Sequence, residues 1–249
     1  MNKKIKVLEL FSGSRSIGKV AEKNGCEVFS VDNVAYPKTN WIGDILDWDY
    51  RMNEMQVGEL KEEYVPQVLW ASCPCTDFSV ACIGKKWISG EEFTPKTELL
   101  GIKLFEKTLE IIKYYLELNP NLIWWVENPR GKMRKAPHWK TIPHTRHTVM
   151  YCQYGDNRMK PTDLWTNADG FVAKTCKNYK YDKDGSVLNR HCHHDLSQRG
   201  STVRSLRARG IDAVKGGTET LKNNHERSKI PQQLCEEVIE CSLNNLNNK

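Results

Sequence analysis

Val7-Leu8-Glu9-Leu10-Phe11-Ser12-Gly13-Ser14-Arg15-Ser16-Ile17-Gly18 is the stretch on which the fold turns. It starts as an apolar strand, passes through small residues, and ends in a helix pattern over Ser16 to Asn24. Small residues at a strand-to-helix turn let the backbone approach a ligand and leave helix amides free to hold it. The next strand, Glu27 to Asp32, ends on an acid that can accept both hydrogens of a ribose diol. The phosphate-binding spacing Gly-x-Gly-x-x-Gly is absent, which argues against NAD. A cofactor with a ribose and no phosphates fits better, and S-adenosylmethionine is such a cofactor. Asp44, in Gly43-Asp44-Ile45, is either a carboxylate for an adenine amine or a helix N-cap.

Outward from this stretch, strand and helix patterns alternate. Lys4 to Phe11, Glu27 to Asp32, Val65 to Ser72 and Leu122 to Glu127 read as strands. Leu100 to Asn119 reads as a long amphipathic helix with Leu104, Leu109, Ile111, Ile112, Tyr115 and Leu116 on its apolar side. Such alternation predicts an open α/β sheet covered on both faces, with its site at the strand C-termini. After about Met159 the periodicity dissolves, and Lys160 to Asn224 is polar and basic. Ile230 to Leu246 closes the chain as a helix with Pro231 in its first turn and Leu234, Val238 and Ile239 on one face. The expected division is residues 1–160 for cofactor binding and catalysis, 161–222 for a small recognition element, and 223–249 for a helix that packs back.

The whole chain bounds these readings. It has 249 residues, 27% of them charged, and a mean hydropathy of −0.62. No apolar run approaches the roughly 20 residues that span a bilayer, and the N-terminus lacks the apolar segment of a signal peptide. Nine cysteines, odd in number and irregularly spaced, predict reduced thiols in a cytoplasmic protein. The net charge is +6, and Gly170 to Ile230 carries thirteen Lys and Arg against six Asp and Glu. A localised basic excess is the footprint of a polyanion. Arg199, Arg204, Arg207 and Arg209 stand among Gly200, Gly210, Gly216 and Gly217, a composition suited to loops along nucleic acid. Cys152, Cys176 and His191-Cys192-His193-His194 could hold zinc, although the spacing matches no standard finger and solvated histidines are the alternative.

The chemistry centres on Pro74-Cys75-Thr76-Asp77-Phe78-Ser79, which follows the apolar run Val68-Leu69-Trp70-Ala71. A cysteine just past a strand end, behind a proline that stiffens the turn, is presented as a nucleophile. The alternative is a small buried hydrophobe.

The order FSGSRSIG, SVD, GDI, PCTDFS, VENP resembles the cytosine carbon-5 DNA methyltransferases, particularly the short versions of bacteriophages and mobile elements. The likeness spans roughly Val7 to Gly155 and Arg227 to Ile239. It implies a Rossmann-like S-adenosylmethionine-dependent fold, a monomer acting on double-stranded DNA in a bacterial or phage-infected cell, and a restriction-modification context. It implies Cys75 as the nucleophile that adds to carbon-6 of a flipped cytosine and Glu127 as the acid facing ring nitrogen 3. It places cofactor contacts on Phe11, Ser12, Gly13, Ser14, Arg15, Ser16, Ile17, Asp32, Asp44 and Pro74. Pro129 stands where the family usually has valine. The later Tyr-Gly-x-x-Gln-x-Arg pattern appears as Tyr154-Gly155-Asp156-Asn157-Arg158-Met159-Lys160, so the cationic group near the base is Arg158 or Lys160. The same chemistry on transfer RNA, a catalytically silent DNA-binding relative, and transfer of another one-carbon group are the rival readings.

Overall fold

The computed structural model describes residues 4–52, 54–57, 60–156, 158, 160–176, 180–181, 187–189, 226 and 228–248. In chain order the elements are β1 (Lys6–Leu10), α1 (Ser16–Lys23), β2 (Glu27–Asp32), β3 (Trp41–Ile42), β4 (Glu54–Val57), β5 (Leu60–Glu63), β6 (Val68–Ser72), α2 (Ile83–Lys86), α3 (Leu100–Leu118), β7 (Ile123–Pro129), β8 (Thr145–Met150), β9 (Pro161–Thr166), β10 (Lys180–Tyr181), β11 (Val187–Asn189) and α4 (Gln232–Asn247).

Seven strands form one sheet in the order β3-β2-β1-β6-β7-β9-β8. Neighbours are parallel from β3 through β7, while β9 runs against both β7 and β8. The order reverses at β1, whose partners are β2 and β6. Ligands of open α/β sheets bind beyond the strand C-termini at such a reversal.

The period of two along each strand separates two cores. Leu8 and Leu10 join Phe29, Val31, Leu69, Ala71, Trp124 and Val126 on the face that α3 covers with Phe105, Leu109, Ile112 and Tyr115. Val7, Val28, Val68, Trp70, Ile123 and Trp125 occupy the other face, under Ile17 and Val20 of α1 and Leu234, Val238 and Ile239 of α4. Each such aliphatic side chain contributes about 1.5–3 kcal/mol when fully buried. The expected closing helix therefore packs back on the catalytic sheet, directly behind Pro231.

Seven of the eleven strands among the described residues were not expected, and three of them, β3, β8 and β9, belong to the main sheet. All six residues of β9 are buried, and the seven-stranded sheet therefore includes residues beyond 160. The lost periodicity has a physical cause. β9 lies between two strands and buries polar as well as apolar side chains, with Asp163 neutralised by Arg134 (Nε–Oδ2 2.9 Å, Nη2–Oδ1 2.6 Å). Edge strand β8 exposes Thr145 and Arg146, which hides its pattern. Arg199, Arg204, Arg207, Arg209, His191, Cys192, His193 and His194 lie outside the described residues. Among the described residues no helix is long and apolar enough to cross a membrane.

Candidate active site

The turn between β1 and α1 is left-handed at Phe11, Gly13 and Arg15, with φ of 55, 47 and 52°. Backbone hydrogen bonds offset that conformation: Ser12 N–H donates to the Val31 carbonyl (3.0 Å) and Arg15 N–H to the Ser12 carbonyl (2.6 Å). Asp32 ties the turn to β2, accepting Gly13 N–H at Oδ2 (2.8 Å) and Val34 N–H at Oδ1 (2.9 Å). The Arg15 side chain runs inward rather than toward a ligand, with Nε donating to Ser30 Oγ (2.9 Å) and Nη2 to Glu22 Oε1 (2.7 Å). Beneath it lies Glu9, which accepts Ile17 N–H (3.2 Å) and the Ser30 hydroxyl (3.3 Å). Gly18 makes room for this acid, because a Cβ there would fall 2.5 Å from Glu9 Oε2. Burial pushes the Glu9 carboxyl up to about 7, against the pull of Gly18 N–H and Arg15.

Ser14 and Ser16 share a hydrogen bond (2.8 Å), and Ser16 Oγ also accepts Ile230 N–H (3.3 Å). Ile17 is buried in the core, so it supports the turn from below. Asp44 is exposed and accepts Leu46 N–H at 3.0 Å; a turn follows it rather than the helix of its N-cap reading. The Ser12 hydroxyl is buried and without a partner among the described residues. A buried hydroxyl left open calls for a polar ligand. Together with the left-handed turn and the Asp32 carboxylate, it fits a nucleoside cofactor such as S-adenosylmethionine.

The next crevice strand, β6, delivers the cysteine. Cys75 and Pro74 are exposed, and the Cys75 carbonyl accepts Phe78 N–H (3.1 Å) and Ser79 N–H (2.9 Å) in a tight turn. Sequence reading missed the residues that lock this turn. Asp77 Oδ2 accepts Gly101 N–H (2.7 Å) at the start of α3, Oδ1 pairs with Lys86, and the Asp77 carbonyl accepts Trp87 Nε1–H (2.8 Å). Lys132 N–H donates to the Phe78 carbonyl (2.7 Å). Gly131 allows that approach, since a Cβ there would sit 2.2 Å from the same oxygen. The amide that Asp77 accepts lies 24 positions further on, so no local pattern signalled its role.

Glu127 comes from the adjacent strand, in register with Ser72. Asn128 Nδ2 donates to the Cys73 carbonyl (2.9 Å), which fastens the acid's strand to the cysteine's turn. Glu127 is buried, and Tyr151, also missed in the sequence, donates its hydroxyl to Oε1 (3.0 Å). Lys160 Nζ stands 4.0 Å from the same oxygen. Burial raises the Glu127 carboxyl above its ordinary range, although Lys160, the Tyr151 hydroxyl and Arg158 pull the other way. The Cys75 thiol is reachable from solvent, yet the protein crowded around it also raises its pKa; Lys160 opposes this and Glu127 adds to it.

Arg158 and Lys160 separate clearly. The buried Arg158 guanidinium is held by Asp156 (Nε to Oδ1 2.9 Å and to Oδ2 3.0 Å) and by the Lys229 carbonyl (3.0 Å). Lys160 is the cation beside Glu127. Cys152 and Cys176 are buried together with Met150, and among the described residues no group of His, Cys, Asp and Glu could hold a metal ion.

A reversed strand inside an otherwise parallel sheet, with an acid-tipped crevice at β1 and β2, defines an S-adenosylmethionine-dependent methyltransferase fold. The structure of the Entamoeba histolytica methyltransferase EhMeth shares it, with a TM-score of 0.54, 10% identity and coverage of 98% of this chain and 99% of that one. A Spodoptera frugiperda DNMT2 structure matches at a TM-score of 0.40 with 15% identity, over 69% of this chain and 53% of that one. No family model matches the sequence. A probable DNA (cytosine-5)-methyltransferase of Frog virus 3 (isolate Goorha) is 35% identical over 179 residues, 69% of this chain and 75% of that protein. The chain belongs to the DNA (cytosine-5)-methyltransferase family.

Proposed function

We propose that this methyltransferase acts on carbon-5 of cytosine in double-stranded DNA, through a covalent bond from Cys75. The observation that carries the reading is the tie between Cys75 and Glu127: adjacent parallel strands with Ser72 opposite Glu127, joined by the Asn128–Cys73 hydrogen bond. A nucleophile and a carboxyl whose burial favours its protonated form, fixed on neighbouring strands, suit a ring that must be attacked at one atom and protonated at another. A cytosine stacked in a duplex offers neither ring face to a thiol, so the base must leave the helix.

Carbon-5 of cytosine is a weak nucleophile. The Cys75 thiol gives its proton to solvent, the thiolate bonds to carbon-6, the ring's π electrons move toward nitrogen 3, and a proton held by Glu127 stabilises them there. Carbon-5 is then enamine-like and takes a methyl group. A solvent base takes the carbon-5 proton, the sulfur leaves as thiolate, and the nitrogen-3 proton returns to Glu127, which restores the aromatic ring. S-adenosylmethionine would supply the methyl group from its sulfonium, whose sulfur departs as a neutral thioether; the turn after β1, the Ser12 hydroxyl and Asp32 would hold it. Lys160 offers its charge to the thiolate and to the electron-rich adduct.

A duplex carrying 5-fluorocytosine tests this, since fluorine cannot leave as a proton does. A denaturant-resistant complex with the normal protein and none with Cys75→Ser is expected. Turnover by Cys75→Ser near the normal rate would refute thiolate addition. Labelled-methyl transfer to transfer RNA but not to duplex DNA would refute the substrate.

A further inference from the structure

We propose that Tyr151 is a positioning residue that occupies one oxygen of Glu127 and so reserves the other, Oε2, for the target base. The inference rests on Glu127 acting on that base and goes beyond it. The hydrogen bond and the ion pair that the described residues make to the carboxyl both fall on Oε1: the Tyr151 hydroxyl at 3.0 Å and Lys160 Nζ at 4.0 Å. The two carboxyl oxygens, equivalent in solution, are therefore distinct here.

Tyr151 can hold this role because it is itself locked. It is fully buried, at the turn that follows edge strand β8, and its ring face is covered by two cations. Lys160 Nζ lies 4.7 Å and Arg158 Cζ 5.6 Å from the ring centroid. Its backbone N–H reaches the Lys160 carbonyl at 3.5 Å. Burial and the neighbouring Glu127 keep the phenol protonated far above neutral pH. It is thus a hydrogen-bond donor throughout the working range, and the oxygen it donates to is an acceptor. When Glu127 carries a proton, that proton sits on Oε2, where a ring nitrogen can take the hydrogen bond. Without the phenol the proton is free to sit on either oxygen, and the carboxyl is free to turn.

The charged and titratable groups that act on Glu127 or feel its charge come from several elements. They are Lys160, Arg158 and Tyr151 from the β8–β9 connection, Asp163 from β9, Cys73 and Cys75 from the cysteine turn, and Cys235 from α4. Of these Tyr151 alone is hydrogen-bonded to the carboxyl.

Tyr151→Phe removes the hydroxyl and keeps the ring that packs against both cations. The Glu127 carboxyl band in infrared difference titration, with Glu127→Gln as the blank, is expected to move to higher pH, because the lost hydrogen bond favours the ionised form. Turnover on duplex DNA is expected to fall by about tenfold, the effect of losing one hydrogen bond to a charged group, with KM for DNA unchanged. S-adenosylmethionine affinity by calorimetry and the melting temperature should stay as in the normal protein, which excludes a folding defect. An unmoved Glu127 titration or an unchanged turnover would overturn the proposal. Full turnover by Glu127→Gln would instead refute the role of Glu127, whatever the Tyr151→Phe titration shows.

Discussion

Asp77 stands two residues from the nucleophile, and its removal links the stability of the fold to the geometry of the site. Its Oδ2 caps α3 by accepting Gly101 N–H at 2.7 Å, and Asp77→Ala leaves that buried donor without a partner. A lost N-cap and an orphaned amide are one event counted from two sides, worth about 2 kcal/mol. The Lys86 ammonium is in solvent, so its pair with Asp77 adds little. For a chain of this size, about 2–4 °C of melting temperature goes with each kcal/mol, so a drop of about 4–8 °C is expected in scanning calorimetry. Asp77→Asn keeps an acceptor oxygen and should lose less. Burial raises the Asp77 carboxyl, but Lys86 and Gly101 N–H outweigh it and hold the group below the usual range. Its contribution is thus present above the unfolded pKa and lost as pH falls through the folded one, so the gap between the normal protein and Asp77→Ala should close in acid. Methyl transfer should drop with the melting temperature, since the same carboxylate fixes the turn that carries Cys75. A melting temperature within about 1 °C of normal near pH 7, where 2–4 °C marks each kcal/mol, would refute the anchoring role.

Two further expectations concern the ligands. Asp32→Ala should weaken S-adenosylmethionine binding about 10- to 100-fold, the loss of a charged hydrogen-bonding partner; unchanged calorimetric affinity would remove Asp32 from the cofactor site. Neutralising Arg204 and Arg207 together should lower DNA affinity and reduce the slope of log affinity against log salt by about one per lost phosphate contact, with cofactor affinity unchanged. An unaltered slope would take these arginines off the DNA-binding surface.

The halves of the site that ride on strong periodicity were legible in the sequence. β1, β2, β6, α3, β7 and α4 stand within a few residues of their expected bounds, because each carries an apolar face that only one period explains. Cys75 and Glu127 were paired by the resemblance carried by PCTDFS and VENP, and Cys75 follows β6 while Glu127 lies within β7. β9 escaped because Thr162, Asp163 and Thr166 are buried polar side chains; the threonines are satisfied locally, by the Lys160 carbonyl and Ala168 N–H, but no local pattern announces the remote Arg134 that pairs with Asp163. Arg15 reads as a loop cation, yet a left-handed backbone turns its side chain beneath the loop toward Ser30 and Glu22. Tyr151 gave no signal either, since its importance lies in an oxygen 24 positions away.

The hydrogen bond from Ile230 N–H to Ser16 Oγ joins residues 214 positions apart, and α4 lies across α1. Lys229, Ile230 and Gln232 line one hollow with Ser14 and Ser16, so a segment remote in sequence walls the β1–α1 turn from outside. A cut in the polypeptide just before Ile230, or Ser16→Ala, would loosen that wall while leaving the strands of the sheet in place.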